Sequence, residues 1–352
     1  MLLALLLLST ASFPADGLDQ RIEFWKSVFT KYGENQLIFH DRKHVHLIYD
    51  VLDLKANGVN RDDRKGQRQL ETLYRERIGD ALASVAQRSP DQWSEYSRSL
   101  AKRIAQSGVK ENPNVLAERV HVQRGIREKF SESLKRYSAV GRTVEQILRE
   151  GGIPEDFAAL PLIESGYMNT ALSHAGAAGI WQFMPSTARQ YMKVTASLDQ
   201  RLDLPIATRS AARLLLNNHA ALGSWPLAIT AYNHGLAGMK RAKGQCGEIL
   251  RVIIECYNAP SFGYASANFY AEFLAARELL NEHRGRMPAT AVAQAAATHQ
   301  PADPHRYRVR KGDTLLRLSK KFGTTPEQIM VLNGMDNAHR LIAGRTLLVP
   351  KG

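Results

Sequence analysis

Ala158-Ala-Leu-Pro-Leu-Ile-Glu-Ser-Gly-Tyr167 decides how this chain is read. Phe157, Leu160 and Ile163 mark one apolar helical face, and the segment ends on a single carboxylate, Glu164. Upstream, Gly151-Gly-Ile-Pro154 is a break, and Pro154-Glu155-Asp156 makes a good first helical turn. Proline presets the backbone there, and the acids suit the helix dipole. Pro161 lies inside the segment and predicts a kinked or short helix. A lone acid in apolar surroundings loses the water that stabilises its charge. Its pKa then rises toward that of a working general acid, roughly 6 or above.

Three further stretches come next along the chain. Gly176-Ala-Ala-Gly-Ile-Trp-Gln-Phe-Met-Pro185 is a glycine-rich loop with aromatics, able to bring backbone close to a ligand. Asp199-Gln-Arg-Leu-Asp203 places its two acids as turn and helix-start residues. Ala231-Tyr-Asn-His-Gly235 ends an apolar run. Helices are expected to open at 185–188 and to cover 207–216, 225–232 and 268–280. Trp181 and Phe183 read as core residues, with one of them free to stack on a ligand face; Met184 reads as packing.

The 352 residues suit two or three domains, and an apolar fraction of 44% can fill real cores. A net charge of +13 implies an anionic partner: nucleic acid, membrane surface or an acidic wall polymer. No Arg/Lys run is interleaved with aromatics and no zinc-finger spacing occurs, so no nucleic-acid partner is expected. Met1 to Ala11 resembles the apolar core of a secretory signal, too short to span a bilayer well. Small residues offer a cleavage site near Ser9-Thr10-Ala11 or at Ala15. No Lys or Arg precedes Arg21, so either the start lies upstream or the signal is weak. Cys246 and Cys256 are the two cysteines, ten residues apart; a disulfide between them is expected in an oxidising compartment, with two buried thiols as the alternative.

Residues 18–142 read as a polar, basic, helical N-terminal region. Ile22, Phe24, Trp25, Val28 and Phe29 recur near helical spacing, as do Leu70, Leu73, Tyr74 and Ile78, and again Ile126, Phe130, Leu134 and Tyr137 before Gly141. His40, His44 and His46 lie close but lack partners at ligand spacing, so solvent-facing or capping roles are expected rather than metal. Residues 285–304, rich in Ala and flanked by prolines, read as a tether. In 305–352, Tyr307-Arg-Val-Arg alternates like a strand, Leu315, Leu318 and Phe322 form a helix face, Thr325-Pro326-Glu327-Gln328 starts a second helix, and Leu347-Leu-Val-Pro350 closes as a strand.

Four of these motifs in this order make residues 143–284 resemble the catalytic domain of lytic transglycosylases, the goose-lysozyme-like branch that cleaves peptidoglycan. They are Glu164-Ser165, Gly179-Ile-Trp-Gln182 with Pro185, Asp199 to Asp203, and Ala231 to Gly235. The membrane-bound type D subgroup, which carries C-terminal LysM modules, is the nearest in pattern. Residues 305–352 independently resemble LysM, a binder of N-acetylglucosamine-containing glycans, through Tyr307 to Leu315, Ile329 to Gly334, Ile342-Ala-Gly344 and Val349-Pro350. The resemblance implies a mainly α chain. It has a signal peptide at 1–17, a helical N-terminal region, a lysozyme-like catalytic domain of the α+β superfamily, a linker, and a small βααβ LysM domain.

It further implies an exported enzyme of the periplasm or cell envelope, with peptidoglycan glycan strands as partner and no metal or organic cofactor. Glu164 matches the sole catalytic acid of that family. It would protonate the oxygen linking N-acetylmuramic acid to N-acetylglucosamine, then accept the proton of the muramic C6 hydroxyl as a 1,6-anhydro end forms. An internal nucleophile needs no activated water. Tyr232 matches a tyrosine whose hydroxyl lies near the acid and the N-acetyl group. Ser165, Gln182 and Asn233 match substrate-binding positions. Ser165 serves equally well as a helix cap, Asn233 as a loop-ordering residue, and His234 falls at a variable, exposed position. One departure stands out: many relatives carry a Glu-Thr pair near the domain end, where this chain has Ser266 or a neighbour, which removes a second acid. A water-using muramidase of the same fold and a non-catalytic wall-binding adaptor are the competing readings.

Overall fold

The computed structural model describes residues 13–195 and 197–286 and, in the C-terminal unit, 305–310, 312–322, 324, 326, 329, 333, 341, 344 and 346–349. Helix makes up 59% of it, so the chain is mainly α. Among the described residues no helix is long and apolar enough to cross a membrane. Residues 1–12 of the signal segment expected at 1–17, most of the tether and most of the helix expected after Thr325 lie outside these residues.

Helix α1 (Asp19–Thr30) buries Ile22, Phe24, Trp25, Val28 and Phe29, the face its spacing predicts. Strands β1 (Gln36–Asp41) and β2 (Ile48–Asp53) follow, then α2 (Arg64–Gln87), α3 (Glu95–Ser107), the short α4 (Pro113–Ala117) and β3 (Val120–Arg124). The strands form an antiparallel sheet in the order β2-β1-β3, with Ile38 opposite Val51 on one side and Gln123 on the other. This sheet is the part of the N-terminal region that a helical reading leaves out. From Leu37 to Asp41 the central strand is buried at every position. It therefore shows no period-two alternation for the sequence to display.

The sheet divides two cores. Leu37 and Phe39 face Ile78, Ala81 and Leu82 of α2, Leu100 of α3 and Leu116 of α4. Ile38 faces the other way, into the large core that also holds Phe157, Trp181 and Tyr270. His40 corrects the expectation of a solvent-facing histidine: it is fully buried, its ring 4.6 Å from that of Phe24. Its Nδ1 bonds the Asp41 carbonyl and its Nε2 lies 3.2 Å from the Tyr264 hydroxyl. Burial pushes its pKa down to about 3, so the imidazole is neutral. His44 pairs with Glu111 at 2.9 Å.

Helix α5 (Arg127–Glu150) runs unbroken through the boundary expected at 142/143. Gly141 does not end it. A Cβ there would lie 2.2 Å from the Tyr137 ring, so the glycine makes room for that ring. Phe130 stacks on Phe29 of α1 with centroids 4.6 Å apart. Buried Glu145 accepts from Tyr137 and from Arg284, whose Nη2 stands 2.6 Å away, and so ties α5 to the last long helix. Residues on either side of that boundary therefore share one core and one helix.

After α5 come a 3-10 turn (Glu155–Ala159) and α6 (Leu160–Glu164), with Pro161 in its first turn: two five-residue pieces where the proline predicts a short or kinked helix. Helix α7 (Pro185–Ala188) is a single turn, and α8 (Leu204–Leu222) is capped by Asp203, which accepts from the Ile206 amide at 2.9 Å. Next are α9 (Trp225–His234), α10 (Leu236–Cys246), α11 (Leu250–Cys256) and α12 (Tyr264–Arg286). Cys246 and Cys256 are disulfide-bonded with Cα atoms 5.9 Å apart, joining the ends of α10 and α11. Helix α12 packs against α1, α6 and α9.

In the C-terminal unit β4 (His305–Arg308) pairs antiparallel with β5 (Thr346–Val349), Tyr307 opposite Leu347. Helix α13 (Leu315–Lys321) is capped by Thr314, and Tyr307, Val309, Leu315, Leu318, Ile329, Leu347 and Val349 form the core of this unit.

Candidate active site

Helix α6 delivers Glu164 at its last residue and packs on α12, which in turn packs on α9. The backbone turns at once: Gly166 and Tyr167 both have φ of 60°, and the Tyr167 hydroxyl donates to the Ala158 carbonyl at 2.7 Å. Glu164 keeps part of its surface open, but protein crowds its carboxyl on the other sides. Among the described residues it has no hydrogen-bond or ion-pair partner. Burial pushes its pKa up to about 8. At neutral pH this carboxyl keeps its proton, as a general acid must.

The loop after it is held from below. Arg201 is 7% exposed, and its Nη1 donates to the carbonyls of Gly176 at 2.6 Å and Phe183 at 2.9 Å. Asp199 fixes that guanidinium through contacts of 2.6 to 3.2 Å. Asp199 is thus a turn residue, and Arg201, which stands inside the Asp199–Asp203 motif without a role expected of it, is the clamp. Gly179 has φ of 78°, and a Cβ on it would lie 2.0 Å from the Arg201 carbonyl oxygen. Only glycine fits there.

The predicted site residues fall into two groups. Glu164 and Tyr232 come together: the Tyr232 hydroxyl is crowded by protein and by the Glu164 carboxyl, which together raise its pKa. That hydroxyl donates to the Trp181 carbonyl at 2.7 Å, so what it offers a ligand is an acceptor oxygen. Gln182 is half-buried with φ of 46°; its Nε2 donates to the Gly179 carbonyl at 2.8 Å. Its Oε1 has no partner among the described residues. Ser165 is a different case. Its hydroxyl donates to the Ile180 carbonyl at 2.9 Å, so it caps α6 and ties the helix end to the loop. Asn233 is exposed, and its Oδ1 accepts from Ser266 at 2.9 Å.

Trp181 and Phe183 are core, as expected, while Met184 and His234 differ from expectation. Trp181 and Phe183 are 0% and 2% exposed, and Trp181 donates to Thr208 Oγ1 at 2.9 Å, so neither is open for stacking. Met184, expected to pack, is 40% exposed beside the loop. His234 is half-buried rather than exposed, set edge-on to Phe262 with ring centroids 5.0 Å apart.

A second acid is also present. Glu272 on α12 is half-buried, and burial with the nearby Glu164 carboxyl pushes its pKa up to about 8. The sequence carries a signal for it: one carboxylate in Asn268-Phe-Tyr-Ala-Glu-Phe-Leu-Ala-Ala276, a run otherwise free of charge. It stands six residues beyond Ser266, outside the position where a second acid is expected.

Two stretches of the chain match known protein families. Residues 144–250 match the model of the Transglycosylase SLT domain, and residues 307–350 that of the LysM domain. The chain is 36% identical over 97 residues to "Membrane-bound lytic murein transglycosylase D" of Escherichia coli K12, a stretch covering 27% of this chain and 22% of that one. It is 39% identical over 93 residues to a "Putative tributyltin chloride resistance protein" of Alteromonas sp. strain M-1, covering 26% and 44%. The match thus spans about a fifth of the first relative's length and under half of the second's. A solved structure of an inactive mutant of lytic transglycosylase Slt from Pseudomonas aeruginosa aligns with TM-score 0.37 and 16% identity, over 76% of this chain and 44% of that one. The chain carries a transglycosylase SLT domain followed by a LysM domain.

Proposed function

We propose that this chain is a peptidoglycan lytic transglycosylase of the cell envelope, with Glu164 as acid and base. The carrying observation is a carboxyl that protein leaves unpaired, half-open and protonated at neutral pH, inside the segment that matches the SLT model. Glu164 gives its proton to the glycosidic oxygen as the N-acetylmuramic–N-acetylglucosamine bond breaks. The carboxylate so formed takes the proton of the muramic C6 hydroxyl, which closes on the anomeric carbon as a 1,6-anhydro end. Gln182 Oε1 and the Tyr232 oxygen accept, and the Asn233 amide donates, hydrogen bonds at the sugars in this reading. Ser165 holds the end of α6 in register with the loop. The LysM unit adds weak glycan binding, and the tether keeps glycan near the cleft at raised effective concentration.

Export fits the apolar start. Phe13 packs on Phe157 and Phe273, with centroids 5.4 and 5.5 Å away, and Tyr270 donates to the Pro14 carbonyl. A cut after Ser9-Thr10-Ala11 keeps these contacts and a cut at Ala15 loses them, so the former is the site we favour.

Glu272 is a specific reason to keep a second reading, a muramidase in which one acid activates water for the other. Mass analysis of digested sacculi decides between them, because anhydro products are one water lighter than hydrolytic ones. Anhydro ends support the proposal; reducing ends alone would replace it with the hydrolase.

A further inference from the structure

Ser266 is 6% exposed in the first turn of α12, between Ala265 and Ala267. A hydroxyl in such a place costs stability unless it is bonded. Ser266 makes its bond to the neighbouring helix. Its Oγ donates to Asn233 Oδ1 at 2.9 Å, on the last turn of α9, against which α12 packs. Asn233 itself is exposed, and its Nδ2 has no protein partner among the described residues.

The two ends of an amide are told apart by their partners, and here the neighbours of Ser266 decide. His234 Nδ1 lies 3.5 Å from Ser266 Oγ. The His234 ring is held edge-on to Phe262, with centroids 5.0 Å apart. Its Nε2 is buried without a partner, so close to Gly238 that a Cβ there would lie 2.4 Å away. The bond of His234 to the Ser261 backbone therefore falls to Nδ1, which carries the ring proton. A nitrogen that already holds a proton does not accept one from Ser266. The Ser266 hydroxyl proton thus goes to Asn233 Oδ1, and the amide turns its two N–H bonds outward. A carboxylate at position 266 would do the reverse. It only accepts, so it would take an N–H of Asn233 and turn Oδ1 outward.

We propose that Ser266 is a positioning residue: its 2.9 Å bond holds the Asn233 amide with N–H outward, so that this position recognises an acceptor oxygen of the glycan. This rests on the reading above, in which Asn233 and its chain neighbour Tyr232 belong to the glycan site. The carbonyls that a peptidoglycan strand offers such a donor are the acetamido groups of its sugars and the lactyl group of muramic acid. An amide fixed before the ligand arrives has no rotation left to lose on binding. Ser266 therefore acts on affinity and leaves proton transfer at Glu164 unchanged.

The test has two arms. The first measures turnover of soluble glycan strands by wild type, Ser266→Ala and Ser266→Thr, with thermal melting alongside. Ser266→Ala is expected to raise KM about three- to tenfold, the worth of one oriented hydrogen bond, with kcat within about twofold of wild type. Ser266→Thr keeps the hydroxyl and should return KM to near the wild-type value. An unmoved KM, a KM that threonine does not return, or a loss of kcat in step with a lower melting temperature would make Ser266 merely structural and overturn the proposal. The second arm needs no turnover and no change at 266. The side-chain amide protons of Asn233, identified by their absence in Asn233→Asp, are followed by 15N NMR in full-length Glu164→Gln. Without ligand they should exchange freely with water; protection of one of them would place it on Ser266 and overturn the proposal. N-acetylglucosamine tetramer is then added, and after it a glycan strand carrying muramic acid. A shift with the tetramer assigns the acetamido carbonyl, a shift with the muramic strand alone assigns the lactyl carbonyl, and either upholds the outward donor. Signals unmoved by both would overturn it. If wild type digests no strands, the functional reading fails while the exchange of these protons still judges the orientation.

Discussion

In the proposed role, Glu164 would couple stability to activity through a single proton. Its carboxyl titrates near 8 in the fold against an ordinary 4.5. The folded protein therefore holds a proton that the unfolded chain releases. The unfolded state binds fewer protons between these values, so stability falls as pH rises from about 4.5 to about 8. Glu164→Gln removes that effect and should melt a few degrees above wild type at pH 8 and nearly with it at pH 4, as read by thermal denaturation. If Glu164 is the proton donor proposed above, turnover needs its acid form and should fall as pH passes about 8. Much of this was legible in the sequence, because an acid at the end of an apolar segment before Ser-Gly-Tyr has few other uses. Glu272 was less legible: it belongs to no motif, and its one mark is a lone carboxylate in the uncharged run from Asn268 to Ala276. Arg201 stands in the Asp199–Asp203 motif, but its clamp role was hidden because, apart from Asp199, its partners are backbone carbonyls, which sequence does not display.

At the scale of elements, the glycine loop is the most constrained piece. A methyl at Gly179 meets the Arg201 carbonyl and a left-handed backbone at once. Gly179→Ala should cost about 2 kcal/mol or more in chemical denaturation. The disulfide between α10 and α11 closes a ten-residue separation. Cys246→Ser with Cys256→Ser should lower stability by roughly 2–3 kcal/mol in the chain-entropy account. The helices were readable from their apolar spacing and from Pro154, Pro161 and Pro185. The central strand β1 was not, because burial on both faces erases alternation. Apolar spacing alone also ends α5 too early, at Gly141, whose role is to admit the Tyr137 ring and not to stop a helix.

For the whole molecule, the first 142 residues are not a separate module. Helix α1 packs on α12, and α5 belongs to both parts. Truncation within α1 or β1 should therefore lower the melting temperature of the SLT part as well, with no independent transition left behind. The C-terminal unit has its own small core, and its removal tests division of labour. Deleting residues 305–352 should weaken sacculus pull-down severalfold and leave turnover of short glycan strands close to wild type. Unchanged pull-down would remove the LysM unit from the account.

One experiment reaches the central assignment most directly: purified sacculi digested side by side by wild type and Glu164→Gln, with products read by mass spectrometry and bound protein by pull-down. The account predicts 1,6-anhydro muropeptides from wild type, none from the variant, and equal binding by both. Product release by Glu164→Gln at the wild-type rate would show that the half-open carboxyl at the end of α6 is not the proton donor.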